Sequence, residues 1–235
     1  DRVLLDASES VAADFPIARY EWSIVERPED SAASLERRVD GHTNALFLDL
    51  SGVYTVQLDV WDEREVSGRP ARLEIIATPD KDIHVQLVWD TPNDPNQLDA
   101  RGSDLDLHLR TTQGRWNTTP YDCHWQNPIP DWGEAEDPRD NPSLDIDDVD
   151  GWGPENINLD NPATRRDYQV GVHVFDDVGF GLSFATVRIY IGGQLRATYL
   201  RQPVRNQEFW HVADISWPDG ILTDVGDVSV RIPEH

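Results

Sequence analysis

Short runs in which apolar and polar residues alternate restrict the fold of this chain more than any other feature. Residues 53–61 repeat with a period of two, so that Tyr54, Val56 and Leu58 share one face of a strand. Similar strands are predicted at residues 3–6, 20–24, 71–75, 83–89, 105–110, 156–159, 168–175, 185–191, 194–200 and 208–215. The repeat of a long amphipathic helix is absent. The pattern predicts an all-β fold, with two antiparallel β-sandwich domains in tandem.

Turn-forming residues predict the limits of these domains. Residues 78–82, with the sequence TPDKD, are typical of a linker between a domain at 1–79 and a second at 83–220. The pair Gly192-Gly193 separates two apolar runs and predicts a two-residue hairpin. Residues 221–235 are predicted to form either an edge strand or a loose tail.

The balance of charge limits the classes of partner. The formal net charge is −24, and so negative a surface repels the phosphates of nucleic acids and of anionic membranes. Cations are therefore the expected partners. General solubility, or adaptation to salty surroundings, is an equally good explanation of the charge alone.

Cysteine content and hydropathy add little about the location of the chain. Cys123 is the one cysteine, so an internal disulfide cannot form. Apolar runs long enough to span a membrane are absent. The sequence begins at Asp1 and contains no methionine, from which we expect a trimmed or mature fragment of a longer, monomeric protein.

Acidic residues are concentrated in and just after residues 111–153, a stretch that is predicted to be a long irregular loop. Between residues 131 and 160 there are eleven acidic residues and one basic residue, Arg139. Like charges at this density destabilise a fold unless a cation neutralises them. Calcium prefers six to eight oxygen ligands. Gly151 would permit the sharp turn of a binding loop. The spacing of an EF-hand loop is absent, so a calcium loop on a β scaffold is the expected form. The candidate ligands in this segment are Asp145, Asp147, Asp148, Asp150 and Glu155.

A neighbouring strand offers further ligands. Alternation puts Asp104, Asp106 and His108 on one face of the strand that contains residues 105–110. Beside the acidic loop, Asp104 and Asp106 would add rigid carboxylates to a calcium site. The alternative is an ordinary strand whose polar face is solvated.

Histidine and cysteine residues suggest a different metal. His108, His124, His173 and Cys123 are possible ligands of zinc or another transition metal, but their spacing matches none of the standard zinc motifs. Structural histidines and an incidental thiol are the alternative.

Four tryptophans fall in or next to the predicted loop. Trp116, Trp125, Trp132 and Trp152 would either stack on sugar rings, as in a carbohydrate-binding module, or form a small core that anchors the loop. Nucleophile-elbow, zinc-protease and P-loop motifs are absent, so the chain is predicted to be non-catalytic. A metal-dependent hydrolase is the remaining alternative.

The first third of the chain resembles a known family. Residues 5–10 (LDASES), 17–22 (IARYEW) and 50–62 (LSGVYTVQLDVWD) resemble, in this order, the turn and strands of a PKD domain. The glycine-aspartate turn usual in that family is replaced by residues 23–35. The resemblance implies an extracellular immunoglobulin-like sandwich that acts as a spacer or adhesion module without catalysis.

The second domain resembles an uncharacterised β-domain family of secreted proteins and lipoproteins of Gram-negative bacteria, which often follows PKD-like domains. The similarity lies in residues 104–108 (DLDLH), 151–156 (GWGPEN) and 168–173 (YQVGVH). It implies an extracytoplasmic location, at the cell surface, in the periplasm or outside the cell. Together the two resemblances and the acidic residues predict a spacer followed by a calcium-stabilised β-domain, with a glycan or another surface protein as the alternative partner.

Overall fold

The computed structural model describes residues 2–36, 41–97, 99–149 and 151–234, and within these ranges the secondary structure consists of strands alone. The prediction of an all-β, antiparallel fold is confirmed. A helix long and apolar enough to cross a membrane is not found in the described part of the chain. The chain divides into two compact units, Asp1–Thr78 and Pro79–His235.

The first unit contains two three-stranded sheets. Its strands are β1 (Arg2–Asp6), β2 (Ile17–Glu26), β3 (Leu35–Glu36), β4 (Thr43–Phe47), β5 (Gly52–Asp62) and β6 (Ala71–Ala77). One sheet has the order β1-β4-β3 and the other has the order β2-β5-β6. Leu5, Leu46, Tyr54 and Val56 form the centre of a buried apolar cluster. The predicted alternation of β5 is what directs Tyr54 and Val56 into this core.

The second unit contains two five-stranded sheets. Its strands are β7 (Ile83–Asp90), β8 (Asp104–Thr111), β9 (Asp122–Cys123), β10 (Pro142–Ile146), β11 (Glu155–Leu159), β12 (Tyr168–Asp176), β13 (Ser183–Ile191), β14 (Gln194–Val204), β15 (Phe209–Ser216) and β16 (Ile221–Ser229). The order β10-β11-β7-β13-β14 forms one sheet, called the β7 sheet below. The order β16-β15-β12-β8-β9 forms the other, called the β8 sheet.

Apolar residues from both sheets of the second unit form one core. Every second residue of β8, namely Leu105, Leu107 and Leu109, is fully buried in it, together with residues of β7 such as Val85 and Leu87. This alternation leaves Asp104, Asp106 and His108 on the opposite face of β8, as the sequence predicts. The candidate site is built on that face.

Residues 111–153 are less irregular than the sequence predicts. They contain β9, which pairs with the end of β8, and β10, which pairs with β11. The strand β10 begins with a proline and lies at the edge of the β7 sheet, where a missing N–H group is tolerated. Its five residues are too few to show a clear period, so only the pairing with β11 reveals the strand.

Two local predictions concern the strands β13 to β16. The turn between β13 and β14 is Gly192-Gly193, and the flanking residues Ile191 and Gln194 are cross-strand partners. Both glycines have positive φ values, 56° and 74°, as a tight hairpin of this kind requires. Residues Ile221–Ser229 form the edge strand β16, which pairs with β15.

Candidate metal centre

The polar face of β8 is covered by other parts of the second unit. Asp106 is 3% exposed and His108 is 1% exposed. These side chains are therefore buried, whereas the alternative for this strand was a solvated polar face. Rings of Trp116, His124 and Phe209 pack around the imidazole of His108, with centroid distances of 6.1, 4.9 and 5.6 Å. Burial of a carboxylate and an imidazole here needs compensating partners.

Glu155 lies at the open edge of β8. The short strand β9 pairs with Leu109 and Arg110, and among the described residues no strand pairs with Leu107 on that side of β8. The N–H group of Leu107 instead donates a hydrogen bond to Oε2 of Glu155 over 2.5 Å. Glu155 is the first residue of β11, and pairing of β11 with β7 fixes its backbone. A carboxylate from one sheet is thereby held against the edge of the other.

Three carboxylates converge at this edge. One oxygen from each of Asp106, Asp147 and Glu155 lies within 4.8 Å of the other two. Glu155 is only 1% exposed, and its Oε1 atom accepts no hydrogen bond from the described residues. Asp147 is near enough to hydrogen-bond to Glu155, but two carboxylates can do so only when one of them carries a proton. These three residues are called the carboxylate group below.

The surroundings favour the neutral form of two acidic side chains. Burial, followed by the negative charges of Asp106 and Asp147, raises the pKa of Asp104 to about 7. Burial also raises the pKa of Glu155 well above its ordinary value, and the charge of Asp106 adds to this effect. Asp104 and Glu155 therefore favour their protonated forms more than a free carboxyl group does, and a bound cation would oppose this effect.

The structure brings together most of the predicted calcium ligands, but not all of them. Asp148 lies near enough for its charge to raise the pKa of Asp104, and its carboxylate packs beside the backbone of Gly151. Asp145, in contrast, accepts hydrogen bonds from Ser143 on β10 and Asn158 on β11. Asp150 lies outside the described residues.

Asp176 is a neighbour of the site that the sequence analysis missed. It is the last residue of β12 and the cross-strand partner of Asp104, whose pKa its charge helps to raise. An acidic pair, Asp176-Asp177, at the end of a predicted strand was the available signal. Without knowledge of the β8–β12 register, this pair has nothing to distinguish it from other surface aspartates.

A second set of ligand atoms also includes Asp106. One atom from each of Asp106, His108 and His173 lies within 4.8 Å of the other two, and all three residues are buried. Nδ1 of His108 donates a hydrogen bond to Oδ2 of the fully buried Asp122 over 2.8 Å. Burial alone lowers the pKa of His108, but the charge of Asp122 and this hydrogen bond outweigh burial and raise it. Asp106, His108 and His173 are called the histidine group below.

The other candidate ligands of a transition metal differ in their position. The ring of His124 stacks on that of His108 at an angle of 16°. Burial, and then the charge of His108, lowers the pKa of His124 to about 4, so that it is neutral at physiological pH. Cys123 points into the apolar core and donates to the carbonyl of Pro128. Burial raises the pKa of its thiol, which therefore stays protonated.

The loop tryptophans serve mainly as packing residues. Trp116 and Trp132 are each 4% exposed, and Trp152 is partly buried. Trp125 is 39% exposed and contacts Phe175, which is 43% exposed, edge to face at 5.5 Å. Of the four loop tryptophans, all of them among the described residues, Trp125 is the one whose side chain is exposed.

Comparison with known proteins gives little help. The chain matches no family model. It also has no match among curated proteins. A solved structure described as the "Solution structure of the PKD domain from KIAA 1837 protein" is similar at 25% identity and a TM-score of 0.27. The similarity covers 33% of this chain and 71% of that one, and so low a score adds nothing to the fold described above.

Proposed function

We propose that the second unit is a non-catalytic β-sandwich domain that is stabilised by a calcium ion in the carboxylate group. The proposal rests on Glu155. A fully buried carboxylate oxygen without a hydrogen-bond donor is costly, and a cation bound by Asp106, Asp147 and Glu155 removes that cost. Calcium suits the group because all the ligand atoms are oxygens. Asp104 and Asp148 supply further carboxylates next to it.

The proposed role of the ion is structural. Asp106 is on β8, Glu155 is on β11, and Asp147 follows β10, so one ion would link both sheets of the second unit to the acidic segment. An ion that binds only the folded state stabilises that state as its concentration rises above the dissociation constant. The like charges that raise the pKa of Asp104 would then become favourable ligands.

Thermal unfolding of the full chain tests this proposal. The protein is stripped with chelator and unfolded in excess chelator, in calcium and in magnesium, at constant ionic strength. Calcium at 100 times its dissociation constant adds about 2.7 kcal/mol, which for a unit of this size corresponds to a rise of roughly 5–10 °C in Tm. Magnesium should raise the Tm much less, because this smaller ion demands a near-octahedral set of ligands.

A matched pair of variants separates a specific site from general screening of charge. Asp147→Asn removes one charge from the carboxylate group, whereas Asp219→Asn removes one from an exposed turn. The calcium-induced rise in Tm should largely disappear in the first variant and persist in the second. Equal rises in both variants, or a wild-type protein that calcium and magnesium stabilise equally, would overturn the proposal.

For the chain as a whole we propose an extracytoplasmic spacer or adhesion fragment. The six-stranded first unit and its resemblance to PKD domains support a spacer role. Extracellular calcium is abundant enough to fill even a weak site, which fits the proposed second unit. Secretion of the protein by its native host, measured by fractionation and immunoblotting, tests the location. Retention in the cytoplasm would contradict it.

Glycan binding is a second candidate function, and Trp125 is the observation that favours it. Trp125 and Phe175 form an exposed aromatic pair, which is the kind of surface that sugars stack on. Sugar binding should quench tryptophan fluorescence and disappear in Trp125→Ala, but not in a Trp22→Phe control. A glycan array without hits would exclude the common sugars.

A further inference from the structure

The histidine group has the chemistry of a site for a transition metal rather than calcium. Asp106 on β8 is the direct cross-strand partner of His173 on β12, and His108 is two residues further along β8. The partner of His108 in the register is Gly171, whose missing side chain leaves room for the ring of Phe209. Two imidazoles and one carboxylate are thereby placed on three adjacent positions of rigid strands.

The orientation of His108 leaves one nitrogen available. Asp122 accepts the hydrogen bond of Nδ1, so the lone pair of the neutral ring is on Nε2. Nε2 is buried and has no hydrogen-bond partner among the described residues. A carboxylate that orients a histidine through its far nitrogen is the usual arrangement behind a metal-ligating imidazole. The stacked ring of His124 and the edge of Phe209 hold the plane of His108 in place.

The separation of two ligand atoms also suits a metal. Nδ1 of His173 lies 3.3 Å from Oδ2 of Asp106, which is long for a hydrogen bond between these groups. In a tetrahedral zinc site with bonds of roughly 2.0–2.1 Å, neighbouring ligand atoms are about 3.3 Å apart. His108 supplies the third ligand atom of the set, since one atom from each of Asp106, His108 and His173 lies within 4.8 Å of the other two.

We propose that Asp106, Nε2 of His108 and Nδ1 of His173 bind a divalent transition metal ion, with zinc as the expected ion. Two imidazoles and one carboxylate leave a fourth position for water or an external ligand. Asp122 acts as a positioning residue, because it touches the ligand His108 and not the metal. Asp106 belongs to both groups of ligands, and a carboxylate has two oxygens with which it could bind both ions.

Cobalt(II) is the probe that distinguishes this site from the carboxylate group. The full chain is stripped with chelator, saturated with calcium to fill the oxygen site, and titrated with cobalt(II), then with zinc in competition. We expect one equivalent of cobalt to bind with the intense visible absorption of four- or five-coordinate nitrogen and oxygen ligation, and zinc to displace it. Octahedral cobalt on oxygen ligands absorbs only weakly, so the spectrum itself reports the ligands.

Variants of single residues complete the test. His173→Gln, at the more exposed end of the group, and His108→Gln should each abolish the absorption and weaken zinc binding by more than about 100-fold. Asp122→Asn should weaken it by roughly 10–100-fold while it keeps the same spectrum, as expected for a positioning residue. His211→Gln changes another histidine of the same sheet, one that hydrogen-bonds to Asp214, and should leave binding unchanged.

The outcomes separate this proposal from the calcium proposal. Calcium-dependent stability should persist in His173→Gln and His108→Gln, which also shows that these variants fold. A wild-type protein that binds no cobalt in the presence of calcium would overturn the inference and leave the calcium site intact. Cobalt binding that survives both histidine variants but disappears in Asp147→Asn would also overturn it, because the ion would then occupy the carboxylate group.

Discussion

At the scale of single residues, Glu155 combines a structural role with the proposed role of a calcium ligand in one carboxylate. Oε2 replaces a missing strand partner of Leu107, whereas Oε1 is buried and accepts no hydrogen bond from the described residues. One oxygen of the same carboxylate lies within 4.8 Å of oxygens of Asp106 and Asp147. Burial makes the charged form costly in the absence of a cation, and it makes the same charge effective when a cation is present. The same side chain therefore destabilises or stabilises the fold according to what occupies the site.

Substitution of Glu155 by glutamine should separate these two effects. Glu155→Gln keeps the acceptor for Leu107 and removes the buried charge, so the metal-free protein should become more stable at pH 8. Calcium affinity should fall by roughly tenfold or more, because one charged ligand is lost. Unfolding curves in chelator and in a calcium series measure both changes. A variant that loses stability in chelator and keeps its calcium response would contradict the assignment.

Calcium binding should depend on pH through Asp104. Its pKa is raised to about 7 in the metal-free fold, which therefore favours the protonated carboxyl group. This contribution to folding stability is complete below the ordinary pKa of aspartate and is lost as the pH rises through 7. The ionised carboxylate of Asp104 should attract a calcium ion more strongly than the neutral carboxyl group does. Affinity measured by calorimetry should thus increase between pH 5.5 and 8, with proton release near pH 7, and Asp104→Asn should flatten the increase. A wild-type affinity independent of pH would contradict this expectation.

At the scale of secondary structure, the registers between strands decide which side chains meet. The β8–β12 register places Asp106 opposite His173 and Asp104 opposite Asp176. The shortness of β9 leaves the edge of β8 open for Glu155. Neither property is encoded in the strand that carries the ligands, because a partner strand can slide by two residues and keep the same face buried.

The Gly192-Gly193 hairpin offers a test of how backbone conformation limits one element. Both residues have positive φ, and no atom of the described residues lies within 4 Å of a Cβ atom added at Gly192. Gly192→Asn should therefore stay within about 0.5 kcal/mol of the wild type, because asparagine tolerates this conformation. Gly192→Val should lose roughly 1–2 kcal/mol. Chemical unfolding of the two variants measures the difference, and equal stabilities would contradict the assigned turn.

At the scale of the whole molecule, the net charge of −24 has two explanations that predict different behaviour. If the charge serves general solubility, the effect of cations on stability is spread over the entire chain. A bound ion instead stabilises the unit that contains it. Each unit has its own apolar core, so an ion in the second unit should leave the first unaffected.

Hydrogen exchange of the full chain, followed by mass spectrometry, distinguishes the two explanations. On addition of calcium, we expect slower exchange around residues 104–111 and 144–159 and no change in residues 2–36 and 41–77. Sodium at matched ionic strength should have no such local effect. Equal protection of both units by calcium would favour screening of charge over a bound ion.

The sequence by itself determined the all-β class, the faces of β8 and the hairpin at Gly192, since a period of two and the conformation of glycine are local properties. It also placed Asp104 and Asp106 among the candidate ligands from the alternation of β8, and Glu155 from the density of carboxylates in residues 131–160. Only the tertiary structure decided that Asp147 joins Asp106 while Asp145 turns away, and that His173 and Asp122 approach His108. Pairing between distant strands sets those neighbours. Burial, which gives these carboxylates and imidazoles their unusual chemistry, arises only when segments far apart in sequence cover them.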